Sequence, residues 1–194
     1  QLGAFVASAV ADLIDRVETE QKLRDVWQLL PDEETGFSIE MCSDATVTVA
    51  DPEDPFRPIA RFCSLIEETE RLRFTGIDVA MLDSCKHELC ERIADGMRTE
   101  LINPPRVANY IRSDCPDLFS EALESGNLDI RLNDALPPFG ISIFDDRIAI
   151  TGYDREGVMV RVLVDTDDTD AYEWAESTFR SHRRTTPILP IEND

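Results

Sequence analysis

Residues able to do chemistry are thinly spread in this chain. Cys85-Lys86-His87-Glu88-Leu89-Cys90 puts two thiols and an imidazole close together, which are ingredients of a zinc site. A structural zinc needs four ligands, yet no second Cys or His pair stands nearby, and His182 lies far along the chain. On a helix, Cys85 and Cys90 would also point about 140° apart. No metal is therefore expected. The acid pairs Asp145-Asp146 and Asp167-Asp168 have the right chemistry for proton transfer or Mg²⁺, but such pairs arise easily in so acidic a sequence. There is no Gly-rich phosphate loop, Gly-x-Ser-x-Gly elbow or His-Glu-x-x-His run. Neither a catalytic constellation nor a cofactor is expected. What remains are single polar residues that follow strand-like segments, Asp51, Asn103 and Asp134, with Phe139 and Tyr153 at neighbouring positions.

The elements that must place those residues alternate. An apolar three-four spacing runs over residues 2–30, with Phe5, Val6, Ala9, Leu13 and Val17 on its stripe, and predicts a long amphipathic helix ending before Pro31. The apolar face could pair with a second copy or pack back on its own domain, and the spacing leaves both open. Residues 45–50 (ATVTVA) read as the first strand, residues 56–71 as a helix and residues 74–79 as a second strand. A helix capped at Asp83 or Ser84 runs to Gly96, and residues 98–102 form a third strand. One helix, or a pair broken at Cys115-Pro116, then leads into residues 127–164. There, four short β-branched runs are separated by turn chemistry at Asn133-Asp134, Asp145-Asp146 and Asp154 to Gly157. A last helix covers residues 168–183.

This order predicts an α/β fold, a mixed central sheet flanked by helices, whose strands begin parallel and end in a meander. Three parts are expected: a linker or dimerisation helix over residues 1–36, an α/β domain over 37–184 and an extended tail over 185–194. Ligands of such sheets bind beyond the carboxyl ends of the parallel strands, which selects Asp51, the loop after Val79, Asn103 and Asp134. Phe139 and Tyr153 are the adjacent rim residues. Each also has a plain reading as a turn or packing residue.

Charge constrains partners. The chain has 194 residues, with 40 acidic residues against 19 basic ones and a formal net charge of −21. Only Lys22 and Lys86 are lysines, and the acids are dispersed among periodic apolar residues, a pattern that resembles proteins of salt-in halophilic archaea. At molar salt the Debye length is only about 3 Å, so the self-repulsion is screened. Direct nucleic-acid binding by this segment is disfavoured, since phosphate affinity comes mainly from basic surface. There is no long apolar run and no signal-peptide pattern, so a soluble cytoplasmic protein is expected. In that setting the five cysteines, Cys42, Cys63, Cys85, Cys90 and Cys115, are expected to be free and buried. A start at Gln1, inside a helical pattern, suggests that residues precede it.

A resemblance sharpens these expectations. Asp129-Ile130-Arg131, the run from Phe139 to Asp154, and Ala171-Tyr172-Glu173-Trp174-Ala175 resemble the sensor domain of haloarchaeal winged-helix regulators, the domain named after the methanogen filamentation regulator. Residues 40–184 are also similar in layout to the phospholipase D-like domain of TrmB-type regulators. The resemblance implies an archaeal transcription factor that forms a homodimer, contacts DNA only through a winged helix preceding Gln1, and responds to an unknown small-molecule effector. Phospholipase D chemistry needs His-x-Lys-x4-Asp. With Asp145 in the Asp position the His and Lys positions hold Pro138 and Gly140; with Asp146 they hold Phe139 and Ile141. Neither register has a nucleophile. The alternatives are a hydrolase or transferase with a site around Asp51, Asn103 and Asp134, or an oligomerisation module without ligand.

Overall fold

A computed structural model describes residues 2–77, 79–114, 116–154 and 159–186. The N-terminal segment is helix α1, Leu2–Leu23, followed by three short 3-10 turns at Trp27–Leu29, Glu33–Thr35 and Ile39–Cys42. The helix ends seven residues before the expected stop at Leu30. Leu23, Val26 and Leu30 are all buried in one core, and after Leu23 the chain continues in tight turns, with the Val26 amide donating to the Leu23 carbonyl at 2.9 Å and the Leu29 amide to the Val26 carbonyl at 2.8 Å. The rest alternates: β1 Thr46–Val49, α2 Arg57–Glu67, β2 Arg71–Thr75, α3 Val79–Ser84, α4 Lys86–Ala94, β3 Arg98–Asn103, α5 Pro105–Asp114, α6 Pro116–Glu124 and β4 Leu128–Leu132. The meander β5 Phe139–Ile143, β6 Ile148–Tyr153 and β7 Val160–Thr166 precedes α7, Thr169–Thr185.

All seven strands join one mixed sheet in the order β1-β7-β6-β5-β2-β3-β4. Only β2-β3-β4 are mutually parallel; every other pairing is antiparallel, including β1 with β7. That corrects the expectation that the first strand opens the parallel series. The meander inserts between β1 and β2, so β1 becomes the far edge. β2 is also displaced from the expected 74–79 to Arg71–Thr75, the helix expected from Asp83 or Ser84 is α4, capped at Cys85 instead, and α3 before it is not among the expected elements.

Each face of the sheet buries its own core because side chains alternate along every strand. On one face, Phe62 and Ile66 of α2 meet Phe74, Leu101 and Leu163, and the Phe62 ring stands 6.1 Å from those of Phe74 and Phe144. On the other, α7 brings Trp174 and Phe179 onto Ile141, Ile150, Val162 and Val164, with Phe37 5.0 Å from Trp174. The Trp174 indole N–H donates to the Thr35 carbonyl at 3.0 Å, which holds the N-terminal turns to α7. No helix among the described residues is long and apolar enough to cross a membrane.

The expectation of free cysteines is corrected in part. Cys63 of α2 and Cys85, at the α3–α4 junction, form a disulfide with their Cα atoms 5.7 Å apart. Cys42 is free and buried, Cys90 is buried, and Cys115 lies outside the described residues. Burial pushes the Cys42 thiol up to about 12, which leaves it un-ionised and inert.

Candidate functional site

Tracing the pairings gives β1, β2, β3, β4 and β6 one common direction, so their carboxyl ends share one edge of the sheet. The five residues picked from sequence all lie along this edge. Only some of them meet.

Asn103, at the end of β3, is 1% exposed, and its side-chain N–H donates to the Gly76 carbonyl just past β2 at 2.8 Å. The Asn133 amide donates to the Asn103 carbonyl at 2.9 Å, which joins the end of β4 to the same point. Tyr153, at the end of β6, is buried, and its hydroxyl comes so close to two glycines that a Cβ on Gly140 would stand 2.6 Å from it and one on Gly76 3.0 Å. Arg106, from the first turn of α5, reaches back to the Ile77 carbonyl at 3.0 Å. The centre of the edge is therefore an amide, a phenol and a guanidinium around two glycine backbones. Such groups can hold a polar ligand by hydrogen bonds, but no base or nucleophile stands among them.

The other candidates are placed differently. Phe139 pairs with Gly152 and turns to the α7 side, into the second core, whereas Tyr153 turns to the α2 side. The two rim aromatics thus lie on opposite faces. Asp134 is exposed in the loop after β4. Asp51 is two strands from Tyr153, about 10 Å at the usual strand spacing. Its Oδ1 accepts the Glu53 and Asp54 amides at 2.8 and 2.9 Å, and these bonds hold its carboxyl below the ordinary range. Asp51 organises its own turn.

The opposite edge carries polar groups of which only Asp145 stood out in the sequence. Asp165 at the end of β7 is fully buried and accepts from Arg61 and Arg147, with a groove of about 270 Å³ beside them. Asp145 is in the expected tight turn between Phe144 and Arg147, and its Oδ2 accepts the Glu70 amide at 2.7 Å and the Thr69 hydroxyl at 3.0 Å. Under α7, Arg73 pairs with Glu176 and donates to the Tyr172 hydroxyl at 3.2 Å. An aspartate closing the apolar run Val160 to Val164 was the one sequence signal for this network. Of the arginines that answer it, Arg147 is 18 residues away and Arg61 is 104 residues away.

Neither tested register of the His-x-Lys-x4-Asp pattern holds a His or a Lys. Pro138 and the β5 residues Phe139, Gly140 and Ile141 occupy the tested His and Lys positions, and the three strand residues are buried. His87 is exposed on α4, whereas His182 is on α7 across the sheet, partly buried, and burial lowers its pKa. No cluster of three His, Cys, Asp or Glu able to hold a metal occurs among the described residues.

Residues 55–185 match the family model described as methanogenesis regulatory protein FilR1, middle domain. No curated protein matches the chain by sequence. Among solved structures it is similar to TrmBL2, described as an archaeal chromatin protein with a novel mode of DNA binding, at TM-score 0.60 and 10% identity; the match covers 97% of this chain and 69% of that one. It is also similar to the phosphatidylserine synthase of Haemophilus influenzae Rd KW20, at TM-score 0.50 and 18% identity, over 75% of this chain and 39% of the synthase. At such identities the likeness is one of fold.

Proposed function

The chain belongs to the family of the middle domain of methanogenesis regulatory protein FilR1, and from that membership we propose that it is the effector-sensing and dimerising part of an archaeal helix-turn-helix transcriptional regulator. The observation that carries the reading is the family match across most of the sheet and its helices. In this reading the domain does no catalysis, DNA is contacted by a winged helix outside these residues, and the dispersed acidic surface suits the cytoplasm of a halophile. The likeness to TrmBL2, a DNA-binding protein, over nearly the whole chain supports it.

Dimerisation is assigned to α1. Val10, Leu13, Ile14 and Val17 are 51%, 62%, 51% and 42% exposed, and their spacing puts them on one stripe of the helix. Phe5, Val6 and Ala9 extend the stripe in sequence, but their side chains lie outside the described residues. A second copy would bury this surface, and an effector seated at the Asn103–Tyr153 edge would shift the geometry of the paired helices and so the spacing of the DNA-binding heads.

Light scattering on the protein in 2 M KCl tests the pairing. A dimer that becomes monomeric in Leu13→Glu/Val17→Glu with an unchanged circular dichroism spectrum is the expected result; a monomeric wild type would refute it. A thermal-shift screen of metabolites tests the sensing. A ligand at 100 times its Kd stabilises by about 2.7 kcal/mol, a rise on the order of 5–10 °C for a chain this size. The second reading, a phosphodiester hydrolase or transferase, draws on the fold likeness to the synthase. Turnover in a phosphodiester screen that Asp51→Ala and Asn103→Ala abolish would favour it.

A further inference from the structure

We propose that the α7-side surface of β2-β3-β4 holds a binding site for a small phosphate- or carboxylate-bearing molecule, gripped between Arg71 and Arg98. These two residues are direct partners across the parallel β2–β3 pair, so two guanidinium groups leave adjacent strands on the same face. Like charges placed opposite each other in a sheet repel unless something offsets them. The offset here is incomplete. Glu100, two residues along β3, is shared between Arg71 at 3.8 Å and Arg183 of α7 at 3.0 Å. The exposed guanidinium of Arg98 has no ion-pair partner among the described residues. In a chain of net charge −21, the two arginines beside Glu100 and Asp129 make this patch locally balanced rather than acidic.

Arg71 and Arg98 border a groove of about 520 Å³, completed by Thr99, Glu100, Asn127 and Asp129. That volume falls within the range that small-molecule sites occupy. A further observation points to a missing acceptor on this face. Arg73, next along β2 on the same side as Arg71, has a side chain 9% exposed, and its Nε has no hydrogen-bond partner among the described residues. Buried donors are rarely left unmatched.

The guanidinium fork suits the planar or tetrahedral oxyanions of carboxylate and phosphate. Asp129 on the far wall confines the negative end of the molecule to the Arg71–Arg98 side. A nucleic-acid strand fits less well, because its long row of phosphates would extend beyond this patch onto acidic surface.

Calorimetric and thermal-shift titrations with inorganic phosphate and with citrate, at constant KCl, test the site. The expected result is saturable binding to the wild type, weakened tenfold or more in Arg98→Ala and Arg71→Ala, partly kept in Arg98→Lys, and unchanged in Arg57→Ala, an exposed arginine at the start of α2. Non-saturable shifts equal in all variants would overturn the site, as would binding of duplex DNA lost in Arg98→Ala while neither small anion binds. The oligomeric state of Arg98→Ala, read in parallel, separates this outcome from that of helix pairing: an anion site can fail while the dimer stands, and the reverse.

Discussion

Arg61 grips Asp165 with both arms of its guanidinium, Nε to Oδ2 at 3.0 Å and Nη2 to Oδ1 at 2.7 Å. The carboxylate is completely buried, whereas the arginine side chain is 33% exposed at the mouth of the groove. Arg147 adds a third bond to Oδ1 at 2.7 Å. The cluster ties α2 to the ends of β6 and β7, so its weight falls on the packing of α2. Arg61→Met should cost about 2–3 kcal/mol, less than the roughly 3–5 kcal/mol of breaking a fully buried ion pair, because Arg147 stays in place and solvent reaches the site. Arg147→Met should cost less. Urea denaturation checks both, and equal, near-zero losses would show that the buried carboxylate needs neither partner.

The disulfide between Cys63 and Cys85 closes a loop with a sequence separation of 22. Constraining the unfolded chain across that loop is worth about 3 kcal/mol in the chain-entropy model. A Cys63→Ser/Cys85→Ser variant, or protein treated with a phosphine reductant, should melt several degrees lower with an unchanged far-ultraviolet spectrum. Thiol titration before and after reduction should differ by two groups; no difference would mean that the pair is not bonded in solution.

His182 links stability to acid. Burial lowers its pKa below the ordinary 6.5, so the unfolded chain takes up a proton at a pH where the folded chain does not. Stability contributed by the neutral imidazole is complete above about 6.5 and declines as pH falls toward the lowered folded value. His182→Gln should therefore flatten the loss of melting temperature between pH 6.5 and 5 relative to the wild type and change little at pH 8. Identical slopes in that interval would refute the linkage.

The parts of the fold legible in sequence were those whose information is local. The meander announced itself through Ile141, Ile143, Ile148, Ile150, Val162 and Val164, and the Asp145-Asp146 turn through its chemistry, because period-two apolar spacing and turn preference are properties of neighbouring residues. Asn103 and Tyr153 could be placed at strand ends for the same reason. Pairing across the chain was not legible. Arg61 is 104 residues from Asp165, and nothing in the spacing of Cys63 and Cys85 marks them as partners. The position of β1 beside β7 was equally hidden, since periodicity identifies a strand without ranking its neighbours. The inward turn of Phe139 followed from its register with Gly152, and that register is set by the sheet as a whole.

Gly140 gives the sharpest test of the Asn103–Tyr153 edge. An added Cβ would stand 2.6 Å from the Tyr153 hydroxyl and 3.3 Å from the Thr151 Cβ. The Tyr153 ring is buried, so it cannot swing aside without repacking. Gly140→Ala should destabilise by about 1–3 kcal/mol, the cost of overpacking a filled site. The nearest clash is with the hydroxyl, so removing that oxygen should relieve much of it. In a Tyr153→Phe background the same Gly140→Ala change should cost clearly less, which gives a favourable coupling in a double-mutant cycle. Strict additivity would mean that the strand rejects a side chain at position 140 for its own reasons and that Tyr153 is not what fills the space.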